Sequence, residues 1–211
     1  MKTPVCSSER FVMRRTVLQA LAGAVFVPTW QTAHAQLALS TAINRTARFR
    51  VLSQRMAKAY CQIHLNVYPE QSRTVLATAQ KLVQLGFADL ATVPWPEHLA
   101  TQLAQVQQLA LDLDALLVQP PSKASVAAVA LQADKMLASA DSATQMFEKL
   151  SSTNTARLVG TAGRQRMLSQ RLAKNYSLVA AGLSTPKMAD QMISDAVEFK
   201  QALAILSAAP V

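Results

Sequence analysis

Arginine is the side chain that could do chemistry here, and it comes in a pattern. Residues 48–60, RFRVLSQRMAKAY, and residues 164–176, RQRMLSQRLAKNY, agree at nine of thirteen positions with a constant offset of 116. Arg48, Arg50, Arg55 and Lys58 of the first copy recur as Arg164, Arg166, Arg171 and Lys174 of the second. The repeat keeps Arg, Ser, Gln and Lys as well as apolar positions, so it is more than scaffold; a duplication of this kind predicts two equivalent helices about a pseudo-two-fold axis, each supplying the same residues to a shared feature.

At roughly 100° per residue, Arg50 falls in line with Ile43, Ala57 and His64, and Arg166 with Val159, Ala173 and Ala180. Arg48 and Arg55 share the opposite face of their helix, as Arg164 and Arg171 do of theirs. If the small-residue stripes face inward, Arg50 and Arg166 converge beside Ala57 and Ala173. Two guanidinium groups in a partly desolvated pocket need an anion or an acid between them. A small planar oxyanion suits the two parallel donors of the guanidinium fork. The bland alternative pairs these arginines with Asp112, Asp114, Asp134, Asp141 or Glu148 on facing helices.

Charge distribution sharpens the contrast. The chain carries 21 Lys and Arg against 12 Asp and Glu, a net charge of +9. Ten of the bases lie in the two motif helices, at Arg45, Arg48, Arg50, Arg55, Lys58, Arg157, Arg164, Arg166, Arg171 and Lys174. Neither 36–69 nor 150–189 contains an acid. Two cationic helices therefore sit in an acidic-to-neutral framework, and something anionic is expected against them.

Residues 1–35 read as a targeting peptide. Basic Lys2, Arg10, Arg14 and Arg15 precede the apolar stretch Val17 to Val27, and Ala33-His34-Ala35 forms a small-x-small cleavage site. Arg14-Arg15-Thr16-Val17-Leu18 resembles a twin-arginine export signal, which predicts a bacterial periplasmic destination and a mature chain of 36–211. Cys61 is then the only mature thiol, so no intrachain disulfide staples the fold, and burial is the expectation for it.

The elements that must hold the arginines are helices. Pro69, Pro94, Pro96, Pro120, Pro121 and Pro186 punctuate segments of helical periodicity at 38–67, 70–92, 97–118, 122–150, 154–182 and 186–207. Leu99, Leu103, Val106, Ala110, Leu113 and Leu117 form a heptad-like seam, repeated by Val126, Val129, Ala133, Met136, Ala140, Ala143, Phe147 and Leu150. Only Ser151-Ser152-Thr153-Asn154 separates the fourth and fifth segments, which leaves a continuous helix open. The expected fold class is all-α: a single up-and-down helical bundle with an internally duplicated motif helix.

Ile43-Asn44 with Arg50-Val51-Leu52-Ser53-Gln54-Arg55, and Ala162-Gly163-Arg164-Gln165-Arg166-Met167-Leu168-Ser169-Gln170-Arg171-Leu172-Ala173-Lys174, resemble the signature of the type IV pilus methyl-accepting chemotaxis transducer N-terminal domain. The same pattern is similar to the periplasmic P-box helix of nitrate/nitrite sensor histidine kinases. The second copy is the nearer match; the first has Ala47 for the usual Gly and Arg48-Phe49 for Arg-Gln. The likeness covers two helices of the chain, at 43–60 and 159–176, and the residues between match only as generic bundle. The resemblance implies a helical bundle that holds nitrate or nitrite between Arg50 and Arg166, with Arg55, Arg171, Ser53 and Ser169 in support. One monomer would then build what the sensors build by dimerising, and would report to a membrane sensor kinase or chemoreceptor.

Enzyme chemistry finds little support. His64 and His98 are the only mature histidines, no His-x-x-Glu or Glu-x-x-His pair occurs, and the phosphate-loop patterns are absent, so neither a metal site nor a cofactor is expected. Nucleic acid would suit the basic helices, but export argues against it. The reading from a different class is an interaction module whose basic helices dock an acidic partner of a chemosensory, pilus or sensor-kinase apparatus. Anion binding needs Arg50 and Arg166 inward; docking needs Arg48, Arg55, Arg164 and Arg171 outward and unpaired.

Overall fold

The computed structural model describes residues 29–151 and 154–209, with side chains from residue 38 onward in α1 and from residue 158 onward in α5. The contact pattern divides the chain at His34 and Ala35. Of the first unit only 29–34 is described, as the opening of a helix; the rest of the expected leader lies outside the described residues.

Six helices make up the described residues: α1 Thr29–His64, α2 Pro69–Leu90, α3 Glu97–Leu117, α4 Lys123–Leu150, α5 Asn154–Ala180 and α6 Pro186–Ser207. The proline punctuation therefore places the breaks. α1 begins earlier than the periodicity suggests, in the stretch read as leader. None of the described helices is long and apolar enough to cross a membrane. α4 and α5 are separate helices, because Ser151 turns to extended backbone (φ −93°, ψ 123°).

Local chemistry explains several ends. The Ser122 hydroxyl accepts from the Ser125 amide, and the Ser125 hydroxyl accepts from the Ser122 amide, a reciprocal cap at the start of α4. Thr185 caps α6 by accepting from the Met188 amide, with Pro186 in the first turn. α5 stops at Gly182, whose φ of 69° suits a residue without Cβ. There the Leu183 amide reaches back to the Leu178 carbonyl, the six-to-one bond of a Schellman ending.

α3 and α4 pack antiparallel, since Gln102 donates to Ser139 and Gln132 donates to the Leu109 carbonyl. All six residues of the α3 seam are buried; of the eight on α4, seven are buried and Leu150 is exposed at the frayed end. Trp95 meets Phe147 edge-on at 4.9 Å between centroids and closes this layer. Helix α1 is the centre of the bundle. From Ala42 to Cys61 almost every side chain is buried, Asn44 and Arg48 being the exposed ones. Phe49 stacks on Phe87 of α2 at 4.4 Å, where Gly86 leaves room for the ring. Tyr60 donates to the Gln119 carbonyl ahead of α4. Cys61 is fully buried, as expected, and burial pushes its thiol up to about 11, which leaves it an inert thiol at neutral pH.

Candidate functional site

The two motif helices lie side by side and parallel. Ala47 of α1 faces Gly163 of α5, where an added Cβ would stand 3.3 Å from that of Ala47. Further along, Val51 and Met167 share one small core cluster, and Lys58 donates to Gln170 at 3.0 Å. Residue numbers rise together along both helices. Positions 47 and 163, and 51 and 167, are equivalent in the repeat, so the pair has local two-fold character. The contact line runs through Ala47, Val51, Gln54 and Lys58, at steps of four, three and four, the spacing of a parallel coiled-coil seam.

Half of that seam is polar. Gln54, fully buried, donates to Asp134 at 3.0 Å, and Lys174, equally buried, donates to the same carboxylate oxygen at 2.5 Å. Desolvation lowers the Lys174 pKa, against the pull of Asp134. Asp134 thus stands between Lys174 and Gln54, the pairing that would mirror Lys58 to Gln170.

This seam decides where the arginines go. At 100° per residue, Arg50 projects about 70° to one side of the seam, and Arg48 and Arg55 about as far to the other. Parallel packing reverses the sides for α5: Arg164 and Arg171 join the Arg50 side, while Arg166 joins Arg48 and Arg55. The expected stripe through Ile43, Arg50 and Ala57 is buried, but its arginine pairs with Asp141 of α4. Arg50 and Arg166 consequently do not converge; Arg50 is 3% exposed and Arg166 is an exposed residue.

The Arg50 side is covered by α4 and α6, and their acids neutralise it. Arg50 Nη1 donates to Asp141 at 2.6 Å. Arg164 pairs with Glu198 and lies 3.8 Å from Asp141. Arg171 grips Asp195 through Nε and Nη2 at 2.7 and 2.5 Å, and Gln191 adds a third bond to that fully buried carboxylate. The pairing alternative holds for Arg50 with Asp141; Asp134 is held by Lys174 and Gln54 instead of an arginine, and Asp112 and Asp114 accept from glutamines. Three acids that the sequence reading did not single out, Asp89 with Arg45, Asp195 and Glu198, complete the set. The signal for the last two was their three-residue spacing on one face of α6. Arg50 keeps two donors over: Nε and Nη2 are buried with no hydrogen-bond partner. Nη2 stands 3.4 Å from the place a Gly163 Cβ would fill.

The other side of the seam is open. A groove of about 440 Å³ runs along it, lined by Asn44, Ala47, Arg48, Val51, Leu52 and Arg55 of α1 and Val159, Ala162, Gly163 and Arg166 of α5. Among the described residues no ion pair reaches Arg48, Arg55 or Arg166, and the acids that line the opposite side have no counterpart in the groove. Ser53 and Ser169, expected as ligand support, instead donate to the carbonyls of Arg50 and Arg166 three residues back on their own helices. The six expected site residues therefore divide: Arg55 and Arg166 share the groove, Arg50 and Arg171 are tied on the covered side, and both serines serve their helices.

Glu148 leans over Gly160 on the covered side, and burial raises its carboxyl above the usual range despite the opposing influence of Arg50 and Arg164. The folded chain therefore binds this proton more tightly than the unfolded chain does, and stability through this group falls as pH rises from the ordinary value of 4.5 through the raised one. Glu148→Gln should lack that trend and be at least as stable as the parent at neutral pH. Urea unfolding between pH 4.5 and 7 checks both.

The described residues hold no group of three or more His, Cys, Asp and Glu able to bind a metal. Fold and site define an all-α bundle built round a parallel pair of sequence-related helices, with arginines neutralised on one flank and bare on the other. Residues 150–209, which take in α5, α6 and the second motif copy, match the family model PilJ, type IV pili methyl-accepting chemotaxis transducer N-term. Comparison with curated proteins and with solved structures returns no significant match.

Proposed function

We infer that this chain is a periplasmic, non-enzymatic sensing or signalling module that binds a small planar oxyanion, nitrate or nitrite, at the motif-helix pair. The observation that carries this reading is the buried, unpartnered Nε and Nη2 of Arg50. The same two donors of Arg171 clamp the Asp195 carboxylate, so the fork of Arg50 suits an anion of like shape. A buried guanidinium with two unmade hydrogen bonds is costly, and a ligand that supplies them gains that energy back on binding. Arg166 lies across Gly163 on the groove side and contributes longer-range attraction. The match over 150–209 to a chemotaxis transducer domain supports a signalling role, with a membrane chemoreceptor or sensor kinase as the recipient. The leader-like 1–35, cleaved after Ala35, supports the compartment.

Thermal unfolding at fixed ionic strength with nitrate, nitrite, chloride and sulfate tests the reading. A ligand of the folded state adds about 2.7 kcal/mol at a hundred times its Kd, a rise of several degrees in Tm. Nitrate or nitrite should give that rise selectively, and Arg50→Lys, which keeps a charge beside Asp141 but loses the fork, should abolish it. An equal rise with all four anions, or one that survives in Arg50→Lys, sinks the proposal.

A further inference from the structure

We propose that the open α1/α5 groove docks an acidic amphipathic helix of a partner protein, seated as α6 is seated on the opposite flank. This stands independently of the anion reading, which rests on Arg50. On the covered flank α6 runs antiparallel to α5: Asp195 meets Arg171, and Glu198, three residues on, meets Arg164, about two turns back. Phe199 of α6 packs beside them against Met167 and Leu168. The repeat places Arg55 and Arg48 where Arg171 and Arg164 would fall after rotation about the seam, and both line the groove with no ion pair among the described residues. Arg166 is likewise the open-side equivalent of Arg50, which Asp141 neutralises. Between these cations the groove floor is apolar, with Val51, Leu52 and Ala162. Three bare guanidinium groups around an apolar floor set the chemistry of the occupant: carboxylates at i and i+3 on a helix, with an apolar side chain next to the second.

The chain's own α6 supplies a probe with that pattern. A labelled synthetic peptide of sequence 186–207 is titrated into the purified full chain by fluorescence anisotropy, beside the same peptide carrying Asp195→Asn and Glu198→Gln. The acidic peptide should bind, weaken with added salt, and lose at least tenfold in affinity to the chain carrying Arg48→Gln and Arg55→Gln. Those two side chains are not buried, so the variant should keep the parent's unfolding midpoint, which the same samples report. Equal affinity for parent and variant would mean that the peptide displaces α6 instead of filling the groove, and overturns the proposal. So does equal binding of the peptide carrying Asp195→Asn and Glu198→Gln, failure of the parent peptide to bind, or a parent chain that self-associates through the groove so that Arg48→Gln/Arg55→Gln dissociates it.

Discussion

Asp134→Ala should destabilise the chain by roughly 3 kcal/mol, the low end of the cost of breaking a buried ion pair from one side. The low end applies because Asp134 is about half exposed, so water can reach part of the vacated space. Lys174 cannot follow it out, with its side chain 2% exposed and the Gln54 amide sharing the same carboxylate. Adding Lys174→Met to Asp134→Ala should recover most of the loss, since it removes the stranded charge and keeps the volume. The pH trend separates this from a loss of packing. A lysine whose folded pKa is lowered binds fewer protons folded than unfolded, so stability rises as pH climbs from that lowered value towards the ordinary 10.5. The single variant should therefore regain stability in mildly alkaline solution, and the double variant should not. Urea midpoints at pH 7 and pH 9 decide it; a single variant as stable as the parent, or one with no alkaline recovery, contradicts the assignment.

Asp195→Ala should release α6 before the rest of the bundle unfolds. That helix buries only Asp195 and Ala202 fully, and exposes Ile193, Val197, Leu203 and Ile205, so its attachment depends heavily on polar contacts. Removing Asp195 strands the largely buried Arg171 fork and the Gln191 amide together, at a cost of about 3–5 kcal/mol. Amide exchange should show α6 losing protection while α3 and α4 keep theirs. Uniform loss across all helices would instead mean that α6 is integral to a single cooperative unit.

The helices were legible because prolines and caps are local signals. The α3 and α4 seams were legible because each helix buries one stripe, and periodicity reports a single buried stripe well. The site was harder for the opposite reason. α1 is buried on nearly every side, so the stripe through Ile43, Arg50 and Ala57 and the line through Ala47, Val51, Gln54 and Lys58 are both interior. Of the two, the apolar one looked like the meeting face, whereas α5 takes the line with two polar members. The partners of the arginines were out of reach as well. Asp141, Asp195 and Glu198 lie on other helices, and the order of packing decides which flank they cover. What the repeat did convey was the presence of two equal sets of cations.

The polar half of the α1/α5 contact also acts as a ruler. Sliding α5 by one heptad along α1 would bring Lys174 level with Val51 in one direction, or Met167 level with Lys58 in the other, and either slide strips both ammonium groups of Asp134 and Gln170. The helices therefore have one axial alignment, and the small pair Ala47 and Gly163 lets them close on it. Identical arginines acquire opposite fates from that alignment alone: its fixed phase sends Arg50 indoors and leaves Arg166 on the doorstep.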